Sequence, residues 1–530
     1  MIKKFFAGMT LFFCLLPSTF AKQFSECSAE NNQFLDQQLS YVRALYPEAQ
    51  QKEITAPVGP FQGIMHDYGP LSIDGRFIFK GDERVQGIMV NYFFHKREQS
   101  LAQFAEDIKV MKAQGIIGVS LEVPWYEYEP QDNHFTPPLY IEKALDIVEA
   151  NGLYTTLLLS PHYTPDWFFE KMGNVYMERP DHTPIIWDNL RTLVPEAGAY
   201  MTYSPFAQPA IAEQIAFDIA ATLHYEQRPS VVAIFLSNEQ TYPKEIRVDY
   251  SSHAQAAWQA YLQARGHPSK AMPTTPQDPD YRLFEYFLQD GLHAMHQQII
   301  TTVQAKQSTN VPVTDRLILY ESISDNAFKY HQRPLRGNDH STIVANDIYG
   351  YTPNVLALQY GYQKPIIVAE TNLLGSCDSA AMQDYMMLHF LSGSSIVSLF
   401  KWDRGDNPYS LLGTDGSIKE RARGVFEAAK KIQSLQQLSY PMIEASFTLN
   451  RDAILDAGYR GERVDSDSVV EQAWQAGVVP MIYWEDDNVS IHSSQFLANR
   501  KQTFLLGLAL VTFLLGITFV AYAAIKSEHT

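Results

Sequence analysis

A (β/α)₈ barrel is the fold the sequence predicts. Three observations point to it. Short apolar runs of strand length alternate with longer segments of helical spacing over about 320 residues. Eight such runs occur, and they are apolar on both faces, as buried parallel strands are. Polar residues collect where each run ends, and in a barrel that rim carries the chemistry. A doubly wound open sheet is the structural alternative, but no Gly-rich phosphate loop follows any of the runs.

In chain order, residues 85–94 read as the first strand and contain Asn91-Tyr92. Residues 101–114 have helical spacing and stop at Gly115. The second strand, 116–123, runs on to Trp125 and Glu129, and a helix over 139–150 closes at Asn151-Gly152, a C-cap signal. The third strand, 153–160, leads into Ser160-Pro161-His162. A helix over 210–225 precedes the fourth strand, 231–236, which delivers Ser237-Asn238-Glu239. A long helix over 283–303 precedes the fifth, 317–320, followed by Glu321-Ser322. The sixth, 342–348, carries Asn346-Asp347 and leads to Tyr349. The seventh, 365–369, is followed by Glu370-Thr371-Asn372, and the eighth, 395–400, by Lys401-Trp402-Asp403. The barrel is therefore expected over 85–435, after a partly helical lead-in, 22–84. A small mixed accessory region, 436–500, with strand-like 478–484, should follow it.

The two ends predict export and anchoring. Met1-Ile2-Lys3-Lys4, a short apolar core and Thr19-Phe20-Ala21 have the form of a signal peptide over 1–21. Residues 504–525 are an unbroken uncharged run that at about 1.5 Å per residue spans roughly 33 Å, enough for one transmembrane helix. The catalytic domain would then lie on the extracytoplasmic side, with 526–530 as a short tail.

Composition narrows the function classes. The formal charge is -18, from 59 acidic and 41 basic residues, so nucleic acid is not an expected partner. The three cysteines, Cys14, Cys27 and Cys377, have no metal-ligand spacing, so no metal or other cofactor is expected. Cys27 and Cys377 are read as two unpaired thiols, with one bridge as the alternative. Aromatic residues make up 13% of the chain; they fill cores and also suit sugar faces.

The rim motifs resemble glycoside hydrolase family 42, the β-galactosidase type of a retaining clan with catalytic glutamates on strands four and seven. The resemblance spans residues 73–423. It includes Ile73-Asp74-Gly75-Arg76-Phe77, the helical segment 104–115, Glu122-Val123-Pro124-Trp125 through Glu129-Pro130, and Ser160-Pro161-His162-Tyr163-Thr164-Pro165-Asp166-Trp167. Asn238-Glu239, Glu370 and the segment 411–416 with Arg421 and Arg423 complete it. Trp125-Tyr126 and Ser160-Pro161-His162 are also similar to β-amylases. One departure stands out: the family's strand-two arginine, near 119 or 120, is replaced by Val119 and Ser120.

The resemblance implies a retaining mechanism with Glu239 as acid/base and Glu370 as nucleophile. It further implies that Asn238 binds the sugar 2-hydroxyl, that Tyr349 donates to Glu370, and that Trp402 floors the subsite. Trp125, Glu129, His162 and Asp347 are candidate sugar contacts, while Asp403 and Asp406 are expected in solvent. The substrate would be an oligo- or polysaccharide, and a homo-oligomer is an open possibility. Two other functions remain: an endo-acting β-glycanase or β-amylase-like carbohydrase on the same barrel, and a non-catalytic, membrane-anchored sugar-binding protein.

Overall fold

The computed structural model describes residues 27–44, 66, 68–94, 100–185, 203–242, 247–319, 340–349, 362–373, 377–407, 409–435, 445–449, 451–460, 473 and 480–484. The expected signal peptide, the transmembrane segment 504–525 and Glu321-Ser322 lie outside them. Among the described residues no helix is long and apolar enough to cross a membrane. The chain divides into two compact units, 1–483 and 484–530, and of the second only Trp484 is described.

Three short strands, β1 (Leu71–Asp74), β2 (Phe77–Lys80) and β3 (Glu83–Arg84), form an antiparallel sheet ahead of the barrel. Its turn needs Gly75 at φ 55°, a left-handed conformation that costs glycine little. Eight parallel strands follow: β4 (Gly87–Tyr92), β5 (Gly118–Pro124), β6 (Tyr154–Ser160), β7 (Val231–Asn238), β8 (Val313–Ile318), β9 (Val344–Asp347), β10 (Ile366–Thr371) and β11 (Ser394–Leu399). Each pairs with the next, and β11 pairs back to β4, which closes the barrel. Every residue of β4, β5, β6, β8 and β11 is buried, because helices cover the outside while side chains fill the inside.

The lead-in sheet plugs the end of the barrel where the strands begin. Its Leu71 and Ile78, with Val85 just after β3, share one buried cluster with Met89, Ile117, Val232 and Ile396. Full burial of a side chain such as Ile78 contributes on the order of 2 kcal/mol. The opposite end, where the strands finish, is left for the site.

The covering helices start where their caps allow. Ser100, Ser251 and Asp378 each accept a hydrogen bond from a first-turn amide of the helices Leu101–Ala113, Ser252–Ala264 and Ser379–Leu391. The helix Leu139–Ala150 ends as its Asn151-Gly152 signal predicts, with Gly152 at φ 66°. Beyond the barrel's last helix, Glu420–Ser434, strands β12 (Ala445–Leu449) and β13 (Pro480–Trp484) pair in a two-stranded sheet.

Two expectations are corrected here. The fifth strand forms over Val313–Ile318, ahead of the expected 317–320. Its Thr314, Asp315 and Arg316 are polar and lie ahead of the expected strand, yet all three are fully buried in the sheet. Cys27 and Cys377 are not free thiols but a disulfide across 350 residues of sequence. It joins the residues just ahead of the helices Ala29–Ala44 and Ser379–Leu391, which also share an Arg43–Asp384 ion pair at 3.5 Å.

Candidate active site at the strand ends

Four adjacent strands bring four charged side chains together. Glu239 follows β7, Arg316 lies in β8, Asp347 ends β9 and Glu370 lies in β10. Strand register makes them neighbours: Arg316 pairs with Asn238 and Ala345, and Asp347 with Ile318 and Glu370.

Arg316 sits at the centre, with no solvent exposure. Its Nε and Nη2 donate to the two carboxylate oxygens of Asp347 at 3.0 and 2.8 Å, and Nη2 also donates to Oε2 of Glu370. Tyr349 donates its hydroxyl to Oε1 of Glu370 at 2.5 Å. Both oxygens of Glu370 thus receive a donor. Burial opposes the charge on Arg316, but the carboxylates of Asp347 and Glu370 more than offset it and push its pKa up.

Glu239 is held differently. Burial, then the negative charges of Asp347 and Glu370, push its pKa well above the usual carboxylate range, and a hydrogen bond with Asp347 acts in the same direction. Asp347 is itself raised to about 7, chiefly by burial, while Arg316 pulls it down. Three carboxyl groups facing one guanidinium repel one another, which favours a proton shared on the Glu239–Asp347 pair. Glu239 also has φ 51°, a left-handed backbone that costs a non-glycine residue about 1–3 kcal/mol and that clusters at functional sites. Its amide donates to the carbonyl of Arg316 at 3.2 Å.

Other predicted residues divide into those near this group and those apart from it. Asn238 is half-buried at the end of β7, beside Glu239. His162 is buried under the rim, its Nε2 3.4 Å from Oε1 of Glu122, which also accepts from Ser160 at 2.7 Å.

Trp125 and Glu129, expected as sugar contacts, instead brace each other. The indole N–H of Trp125 donates to Glu129 at 2.7 Å, and its ring stacks on Phe217 at 5.4 Å. Both are buried, and the Trp125 ring packs against Phe168 and Phe217 of two covering helices.

Trp402 is likewise corrected. It is 1% exposed, with its ring 6.2 Å from Phe426 of the outer helix Glu420–Ser434. The aromatic side chain beside Tyr349, the hydrogen-bond donor to Glu370, is Phe400, half-buried, 6.4 Å from Tyr349 and 5.4 Å from Tyr409. Asp403 is buried rather than solvated and accepts from Asn407 and Ser410, whereas Asp406 is exposed.

Sequence reading missed Arg316, because the polar stretch before the apolar run carries no strand periodicity of its own. It also missed Phe400 and Tyr409, whose hydroxyl pKa is raised by burial and by Glu370. Val119 and Ser120 are buried in β5, and the positive charge beside Glu370 comes from Arg316 of β8. Among the described residues no group of three His, Cys, Asp or Glu side chains is arranged to hold a metal ion.

Residues 91–271 match the family model of glycoside hydrolase family 42, described as β-galactosidase. That stretch runs from the end of β4 past Glu239 and stops short of Glu370. No curated protein matches the sequence.

Among solved structures, the fold is similar to a β-galactosidase from the psychrophilic Marinomonas ef1, with a TM-score of 0.58 and 13% identity over 76% of this chain and 70% of that one. A β-galactosidase from the haloarchaeon Halorubrum lacusprofundi gives 0.60 and 16% over 76% and 67%. A family 42 β-galactosidase from G. stearothermophilus gives 0.62 and 12% over 80% and 68%. At these identities the structural likeness speaks for the fold, and the sequence match over 91–271 speaks for the family. Over residues 91–271 the chain is similar to glycoside hydrolase family 42.

Proposed function

We propose that this protein is a retaining, β-galactosidase-like glycoside hydrolase with Glu370 as nucleophile and Glu239 as acid/base. The observation that carries the reading is the unequal environment of the two glutamates. Both oxygens of Glu370 accept hydrogen bonds, from Arg316 and Tyr349, while burial and two carboxylate neighbours favour the protonated form of Glu239.

A carboxylate of Glu370 attacks the anomeric carbon, and the glycosidic oxygen leaves with the proton of Glu239. The glycosyl ester is then cleaved by a water that Glu239 deprotonates, which releases the sugar with its configuration retained. During the first step the negative charge moves from Glu370 to Glu239. Arg316 touches Glu370 directly and reaches Glu239 through Asp347, so one fixed cation serves both ends of the transfer. Asn238 and Asp347 are placed to contact the sugar, and Phe400 rather than Trp402 offers an aromatic face beside Tyr349. His162 would support the rim through Glu122.

The signal peptide over 1–21 and the membrane helix over 504–525 remain part of this proposal, with the barrel outside the cytoplasm. The Cys27–Cys377 disulfide supports it, because such bonds persist in oxidising compartments.

The test is hydrolysis of a panel of 4-nitrophenyl glycosides by the purified protein and by its Glu239→Gln and Glu370→Gln variants. A β-galactoside should be cleaved with retention. A 2-deoxy-2-fluoro galactoside should leave a covalent adduct on Glu370. Each variant should lose at least about 100-fold in rate. Activity that survives in both variants, or an adduct elsewhere, would sink the assignment.

A further inference from the structure

Behind the site, facing away from the barrel mouth, lies a second buried group of polar side chains that the reaction above does not use. Asp315 precedes Arg316 in β8, so its side chain points to the other side of the strand. It meets His296 of the long helix Tyr281–Gln304. His296 is 3% exposed and Asp315 is fully buried. The imidazole Nδ1 donates to Oδ2 of Asp315, whose Oδ1 accepts from Ser237 at 2.8 Å. The Nε2 donates to the backbone carbonyl of Gln240 at 3.0 Å.

A carboxylate and a carbonyl can only accept, so both ring nitrogens carry protons and His296 is an imidazolium. The charge of Asp315 and this hydrogen bonding favour that form against the cost of burial. Gln240 is gripped a second time: its side-chain amide donates to Tyr203 at 2.7 Å and to Gln214 at 3.2 Å. Tyr203 and Asp218, the latter bonded to Gln214, are titratable groups on this side among the described residues.

Gln240 follows Glu239, whose left-handed backbone at φ 51° persists only where its surroundings over-determine it. We infer that His296 and Asp315 form a positioning couple that sets the backbone after Glu239 and thereby aims its carboxyl at the glycosidic oxygen. The inference rests on the acid/base reading of Glu239. His296 never meets the sugar; it acts through the Gln240 carbonyl.

Leaving-group dependence tests this, because only poor leaving groups need the proton. We would measure kcat/KM, which reports the first step, with phenyl and 2,4-dinitrophenyl β-galactosides. His296→Phe should lower the value for the phenyl substrate about 10- to 100-fold and that for the dinitrophenyl substrate less than about threefold. His296→Gln, which restores a donor near Nε2, should recover most of the loss. Should the Phe variant not fold, Asp315→Asn carries the same expectation. Equal losses on both substrates, or no loss on either, overturn the inference. Glu239→Gln is run beside them. If it is selective and the His296 and Asp315 variants are not, the couple alone is refuted. If it shows no selectivity, the acid/base reading falls and the inference with it.

Discussion

Asp347 is a third carboxyl in a site whose chemistry names two, and its effect on Glu239 is open to measurement. Burial and the charges of Asp347 and Glu370 raise the pKa of Glu239. In the mechanism proposed above the first step needs the acid form, so kcat/KM should fall as pH rises through that raised value. Asp347→Asn removes a negative neighbour and also leaves Arg316 less neutralised. Both changes favour ionised Glu239, so the alkaline limb of kcat/KM should move to lower pH. A profile over about pH 4 to 10 for the protein and the variant checks this. An unmoved limb would mean that Asp347 does not hold the proton on Glu239. At this scale the sequence named Glu239, Asp347, Tyr349 and Glu370, because each stands at or just beyond the end of an apolar strand. It did not name Arg316, because a buried cation inside a strand has no local signature apart from the partners that neutralise it.

The elements are held at spacings that single atoms decide. The helices Ser379–Leu391 and Glu420–Ser434 cross where Gly424 lies, and a Cβ there would stand 2.0 Å from the carbonyl oxygen of Ser379 and 3.0 Å from the amide of Gln383. Backbone cannot swing aside as a side chain can. Gly424→Ala should therefore force the two helices apart and destabilise the protein by about 1–3 kcal/mol, read as a lower thermal midpoint. An unchanged midpoint would show that the pair can slide without loss. The helices over 101–114, 139–150 and 283–303 were legible because their apolar period survives on one face. Strand ends were less legible. Hydrophobicity stops at Leu236, but β7 continues through Ser237 and Asn238, whose polar side chains serve the rim.

For the molecule as a whole, the Cys27–Cys377 bridge ties the segment ahead of the barrel to the start of a late helix. A closure over 350 residues strongly limits the unfolded chain. Cys27→Ser should lower the stability of the oxidised protein by about 2–5 kcal/mol, and a reductant should lower the wild type to the same level. Denaturant titrations with and without reductant decide it; if reductant leaves the wild type unchanged, the bridge does not stabilise the fold.

By itself the sequence determined the barrel, since eight apolar runs separated by amphipathic segments leave few other ways to bury both faces of each strand. It also determined where along the chain the candidate glutamates stand, since a barrel presents its strand ends at one rim. Only the tertiary structure decided what surrounds them. Arg316 reaches Glu370 because β8, β9 and β10 are neighbours, and His296 reaches Gln240 because a helix packs across β8. Trp402 faces outward while Phe400 faces Tyr349, and Cys27 meets Cys377. These are distances between segments far apart in sequence and directions of single side chains. Periodicity reports which face of an element is buried, and it carries no information on what the buried group will touch.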